Sequence, residues 1–320
     1  MTTFSVLAVI PLLLFSVNSL AGDLFDMLKR MSEADQDQNY QGTFILRKSD
    51  DLSTMLVTHG IDDNGVWESL EALNGEPRKV IRRNNKVVSI FPGRELVTIR
   101  DNVEKQSLHP QLPENLGQLE LFYSINQLPD DRVANHQTLV IDLVPNDEFR
   151  YGYRYWVDKN TGMLLRCDLV AEGERVVEQM MFTSLDYLPH SPVSSIDLKR
   201  FDHYQQKNLD EPVIDAKNSA FTQWTVKALP KGFMLTQSML RYSHPPVNYD
   251  VEKPDLLHLV YSDGLASVSV FIKKNESAVK PLQGASTMGA VNVYASSVND
   301  YSVTVVGEVP IKTVQAMAQS

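Results

Sequence analysis

Apolar and polar residues alternate most regularly between positions 150 and 188. Tyr151, Tyr153, Tyr155 and Val157 interleave with Arg150, Gly152, Arg154 and Trp156, the period of two expected of a strand whose faces meet different surroundings. The run from Asp158 to Gly162 supplies turn residues, a second strand is predicted from Met163 to Val170, and Glu172, Gly173 and Glu174 turn the chain into a third from Val176 to Phe182. The first strand is aromatic on one side, and the second shows Met163, Leu165, Cys167 and Leu169 on one side. Such an antiparallel meander has to curl over something apolar, either helices of the same chain or a ligand.

The same patterning organises the rest. Asp23 is placed to cap a helix with Leu24, Met27, Leu28 and Met31 on one face. Strands are predicted at 40–46, 53–59 and from Val66, with a turn at 62–65 between the last two. Residues 78–91 read as a hairpin turning at Asn84-Asn85, and Pro92-Gly93 leads into a strand at 95–100. Prolines at 110, 113 and 129 then interrupt the pattern around residues 116–128, where Leu119, Leu121, Phe122 and Ile125 predict a short helix. A strand at 139–144 leads back to the meander. Residues 203–220 are polar and almost without periodicity, which reads as a linker. Beyond it, strands are predicted at 235–242, 256–261, 265–272, 290–296 and 302–306, with a last helix opened by Pro310. There is no internal repeat. The fold class is therefore α+β: residues 22–202 form a large curved sheet over helices, and residues 221–320 a smaller antiparallel domain with a terminal helix.

Residues 1–21 combine an apolar run from Phe4 to Leu14 with Ser19-Leu20-Ala21 as a small-x-small cleavage site, the pattern of a signal peptide. The run is too short to span a bilayer. An exported chain usually carries paired cysteines, yet Cys167 is the only one here, so the fold is expected to hold without disulfides. A net charge of −10 argues against general nucleic-acid binding, which needs a basic footprint.

Motifs for catalysis or metal binding are missing: the chain has no G-x-S-x-G, H-E-x-x-H, C-x-x-C or phosphate-binding loop. Its seven histidines are scattered, so no catalytic residue, metal site or cofactor is expected. His258, Ser262 and Asp263 superficially suggest a hydrolase triad, but Ser262-Asp263-Gly264 is an ordinary hairpin turn between apolar strands. Arg78, Arg82 and Arg83, with Lys79 and Lys86, are candidates to grip an anionic headgroup; strand alternation divides them between two faces, which favours a solvated hairpin. Phe44, Leu46, Trp67, Phe91, Tyr153, Tyr155 and Met181 are candidates for the wall of an acyl-chain cavity, or are simply core.

Several stretches taken in order resemble the RseB/MucB family. In the second domain these are Trp224 with Leu229-Pro-Lys-Gly-Phe233, then Leu259-Val-Tyr-Ser-Asp-Gly-Leu265 with Ser267-Val-Ser-Val-Phe271, and Val306-Gly-Glu-Val-Pro310. In the first domain, Asn39-Tyr-Gln-Gly-Thr-Phe44, the Arg82-Arg-Asn-Asn85 hairpin with Phe91-Pro-Gly93, and Tyr155-Trp-Val-Asp158 agree. The resemblance implies a large domain folded like the lipoprotein carriers LolA and LolB, an unclosed barrel over helices, with a smaller domain appended. It also implies a non-enzymatic periplasmic regulator of an envelope-stress sigma factor. Such a protein binds the periplasmic domain of an inner-membrane anti-sigma factor, shields it from site-1 proteolysis, and is released by lipopolysaccharide or another lipid. Self-association is a further possibility. Trp224, Tyr261 and Asp263 are then the candidate partner-binding residues. The alternative from another class is a periplasmic lipid or lipoprotein carrier, which would have no use for a second domain.

Overall fold

The structure is a computed structural model, described here for residues 18–101, 112–113, 116–192, 198–210, 214–216, 224–244, 253–275 and 283–320. Helix α1 (Asn18–Asp37) is followed by strands β1 (Tyr40–Lys48), β2 (Asp51–Asp62), β3 (Gly65–Ala72), β4 (Lys79–Arg83), β5 (Lys86–Phe91) and β6 (Leu96–Arg100). After a 3-10 turn at Leu116–Leu121 come β7 (Tyr123–Val133), β8 (His136–Pro145), β9 (Gly152–Asp158), β10 (Leu164–Ala171) and β11 (Arg175–Tyr187). With β12 (Gln205–Asn208) they form one twelve-stranded sheet in the order β12-β6-β5-β4-β3-β2-β1-β11-β10-β9-β8-β7. β7 and β12 do not meet, so the barrel stays unclosed.

The inner face of this sheet carries the main core. Leu24, Leu28, Met31 and Ala34 recur on one side of α1 and fill the concavity against Phe44, Val57, Leu143, Tyr155, Leu165 and Phe182. The helix starts five residues before Asp23, so Asp23 lies inside it and the cleavage point expected after Ala21 falls within its first turn. Residues 1–17 of the expected signal peptide lie outside the described residues. None of the described helices is long and apolar enough to cross a membrane. On the outer face of the far arm, Ile81, Val88, Ile90 and Val97 make a second, small core under Phe201 and Tyr204.

The remaining strands, β13 (Ile214–Asp215), β14 (Met234–Arg241), β15 (Leu256–Ser262), β16 (Ser267–Lys274), β17 (Gly284–Met288), β18 (Val291–Val298) and β19 (Tyr301–Gly307), form a seven-stranded sheet in the order β13-β14-β15-β16-β19-β18-β17. Helix α2 (Ile311–Ala318), opened by Pro310, buries Val314 and Met317 against it.

Two expectations need correction. The helix predicted at 116–128 ends as the 3-10 turn, and Tyr123–Leu128 is strand, because β8 offers a partner over its whole length and pairing outweighs a short local pattern. Pro129 falls where that pairing skips between Leu128 and Asp131, at a bulge that requires no ladder N–H from it. Part of the polar stretch read as linker is also sheet: Gln205–Asn208 pairs in parallel with Leu96–Ile99. All four residues are exposed, so backbone hydrogen bonds rather than side-chain burial hold them.

Candidate functional site at the junction of the two domains

The tight turn between β15 and β16 enters the large domain. Gly264 takes φ +103, a conformation that favours glycine, and its α-carbon faces Pro113. The Asp263 carboxylate holds the turn with one oxygen, accepting from the N–H groups of Leu265 (2.9 Å) and Ala266 (2.8 Å). The Ser262 hydroxyl donates to Ala266 O and accepts from Gly264 N, so it is committed to the turn. His258 stacks on Phe271 and faces Ser269, which leaves no triad geometry.

The other Asp263 oxygen crosses to the large domain, where Arg150 Nη1 donates to it at 2.6 Å. Both side chains are fully shut off from solvent. Arg150 also donates to Lys231 O at 2.6 Å and to Asp147, and its guanidinium lies 4.8 Å from the Phe122 ring and 5.3 Å from Phe233. A guanidinium can be buried this way because its donors are matched and its faces meet aromatic rings. Tyr123 donates to the same carboxylate at 3.4 Å; burial first, then the negative charge of Asp263, push its hydroxyl well above the usual tyrosine range. Gly232 is required beside this cluster, since φ is +93 and a β-carbon there would lie 2.5 Å from the Phe122 ring.

A second set of contacts spans the junction. Asn292, anchored within the small domain on Val309 O (2.8 Å), donates to Tyr151 Oη (3.0 Å), Thr313 donates to Phe149 O (2.6 Å), and Ala290 N donates to Glu178. Two openings flank these contacts. One, of about 440 Å³, lies between the inner wall of the barrel and the Leu265–Ser267 segment. The other is a groove of about 1040 Å³ that runs past β8, β9 and β10 to the start of α2.

The residues singled out in the sequence are dispersed by this architecture. Phe44, Tyr153 and Tyr155 are buried on the inner wall, with the tyrosine rings stacked at 5.9 Å, and Leu46 lies half-buried at the edge of the smaller opening. Burial pushes both tyrosine hydroxyls up. Trp67 pairs with Gly60 on the opposite, outer face, and Met181 is likewise outward, beside Arg166 and Ile45. Phe91 sits half-buried at the far arm under Arg94. Arg83 grips Asp62 through both terminal nitrogens on the outer face, Arg82 meets Glu68 on the inner one, and Arg78 is exposed. Tyr261 is buried with its hydroxyl accepting from Val226 N, and Trp224 packs edge-on against Tyr301, 5.0 Å away. Of the three residues named for partner contact, only Asp263 reaches the junction, and its contacts are internal. Sequence reasoning missed Arg150, Asn292 and Glu178. The one available signal was Arg150, a charge in register with a tyrosine-rich strand.

Comparison with known proteins places all of these residues inside matched regions. Residues 23–207 match the MucB/RseB N-terminal domain and residues 218–320 the MucB/RseB C-terminal domain. The chain is 31% identical to the sigma factor AlgU regulatory protein MucB of Pseudomonas aeruginosa, over 100% of this chain and 97% of that one. It is 26% identical to the sigma-E factor regulatory protein RseB of Escherichia coli K12, covering 96% and 93%. Among solved structures, MucB in the Pseudomonas aeruginosa MucA/MucB complex superposes with a TM-score of 0.68 at 28% identity, covering 92% and 97% of the two chains. A crystal structure of MucB superposes with 0.60 at 27%, covering 93% and 97%.

Proposed function

Because the chain belongs to the MucB/RseB family, we propose that it is a periplasmic regulator that binds the periplasmic region of a membrane-bound anti-sigma factor. In this reading it keeps that segment from the first cutting protease and releases it on a lipid signal such as lipopolysaccharide. The observation that carries the reading is the full-length likeness, across both domains, to a MucB that was solved with MucA. The junction groove supports it, since an extended segment lying there would touch both domains. The groove offers Val144, Pro145 and Ile311 for apolar contact, and charges of both signs beside them.

The action is linkage and needs no covalent step. In this reading the acyl chains of the signal lie against Leu46 and Tyr153, which share an opening with Leu265 of the small domain, on the wall that Phe44 and Tyr155 continue into the core. If lipid and segment favour different junction states, each weakens the other by the same factor. Titration of the chain with its cognate anti-sigma periplasmic segment, with and without lipid A, tests this. The expected result is saturable binding that lipid A weakens, with protease resistance of the segment lost in parallel. Absence of binding, or an affinity indifferent to lipid A, overturns the reading.

A further inference from the structure

The smaller opening differs in charge from the Arg78, Arg82 and Arg83 group, the candidate for an anionic headgroup. Its walls are mostly apolar and come from both domains: Leu46, Tyr153, Leu169 and Met180 from the barrel, Leu265 and Ala266 from the turn between β15 and β16, with Gln179 and Ser267 adding polar groups. Cys167 adds a neutral thiol, since burial pushes its titration far above the usual range. The volume of about 440 Å³ lies within the usual range for sites that enclose a small organic ligand.

Three ionisable side chains stand at the rim, and they do not balance. Lys48 Nζ lies 3.0 Å from a Glu178 oxygen and 3.8 Å from Glu308, so one ammonium serves two carboxylates. Glu178 has a further donor in Ala290 N, and its side chain is 14% exposed. The Glu308 side chain is 47% exposed, with the more distant share of Lys48. Surrounding protein atoms first, and Glu178 second, push its carboxyl above the ordinary value, while Lys48 opposes them. A further positive charge would relieve the crowding, and a further negative charge would add to it.

We propose that this opening is a binding site for a single-chain cationic amphiphile, with the hydrocarbon along the Leu46–Leu169–Leu265 wall and the ammonium beside Glu308. The opening shares Leu46 and Tyr153 with the wall offered to the acyl chains of the signal, so the two ligands compete for it, but amphiphile binding needs no anti-sigma partner and is measured without one. Because both domains form the wall, an occupant contacts each and holds the junction in its present closure.

The test is calorimetric titration of the full chain with dodecylamine, dodecanol and dodecyl sulfate, each below its micelle concentration. One site per chain is expected, with dodecylamine binding at least about tenfold tighter than dodecyl sulfate and affinity rising about fourfold per added methylene across the amines. Glu308→Gln changes a solvent-reachable side chain. It should remove most of the amine preference and leave dodecanol binding as it was. Leu46→Trp should weaken all three ligands by narrowing the wall. Equal or tighter binding of dodecyl sulfate overturns the headgroup assignment, and absence of saturable amine binding to the unmodified chain overturns the site. An amine preference that survives Glu308→Gln moves the headgroup elsewhere and also defeats the proposal.

Discussion

Arg83 and Arg150 both face aspartates, and by geometry alone the first pair is the better made. Arg83 meets Asp62 through two nitrogens at 2.9 and 2.8 Å, whereas Arg150 reaches Asp263 through one at 2.6 Å. Yet the Arg83 pair is 26% and 30% exposed, and joins neighbouring hairpins of one sheet. The Arg150 pair is wholly enclosed by aromatic rings and joins residues 113 positions apart in two domains. Water and salt screen the first, so its loss is nearly replaced by solvation. Water cannot replace the second: without Asp263 the buried guanidinium keeps only Asp147, and without Arg150 the buried Asp263 carboxylate is stranded. What distinguishes the two regions is therefore the consequence of breaking each pair, more than its strength when made.

The largest expected effect follows from that asymmetry. Asp263→Ala should cost about 3–5 kcal/mol in urea unfolding, because buried Arg150 keeps only the partly exposed Asp147 while Tyr123 and the N–H groups of Leu265 and Ala266 lose their acceptor. The double change Arg150→Met with Asp263→Leu should restore much of this, since an apolar pair of similar bulk removes the stranded charge. A small loss in the single variant would erase the contrast with Arg83. Gly232→Ala comes next at about 1–3 kcal/mol, from positive φ and from contact with the Phe122 ring that lies over Arg150.

A pH series separates burial from neighbouring charge in a third place. His258 is held down to about 4, by burial first and Arg241 second. Its folded value lies below its unfolded value of about 6.5, so the unfolded chain takes up the proton first. The stabilising contribution is whole above pH 6.5 and is lost as pH falls toward 4. In His258→Phe this part of the acid slope should disappear from unfolding curves measured between pH 4 and 7. The smallest change belongs to the hairpin: Arg83→Ala, whose pair with Asp62 is open to solvent on the outer face, should leave the urea midpoint nearly unchanged. A larger loss would mean that the far arm is coupled to the rest of the sheet more tightly than its small core implies.

The strands of the meander and the hairpin at 79–91 were legible because the period of two survives in the sequence, even in β9, where burial reaches both faces. β12 and β17 were not: Gln205–Asn208 and Gly284–Met288 are exposed along their whole length, so no burial alternation is written into them. β7 was misjudged for a related reason. Most of its residues are exposed, and Leu119, Leu121 and Phe122 before it mimic helical spacing. The same logic applies at the junction. The Ser262–Gly264 turn was readable from its residues, but whether Asp263 meets solvent or a buried guanidinium depends on a partner in the other domain. The division of Arg82 and Arg83 between two faces was legible because adjacent positions on a strand always diverge.

The pairing of Gln205–Asn208 with β6 and of Ile214–Asp215 with β14 leaves only residues 209–213 between two fixed points. So short a span reaches at most about 20 Å when drawn straight. If the Arg150 clasp opens while both stitches hold, the small domain can swing but not wander. Reclosure is then a first-order event set by the leash, fast and indifferent to protein concentration. Domains tethered this way find each other again within one molecule.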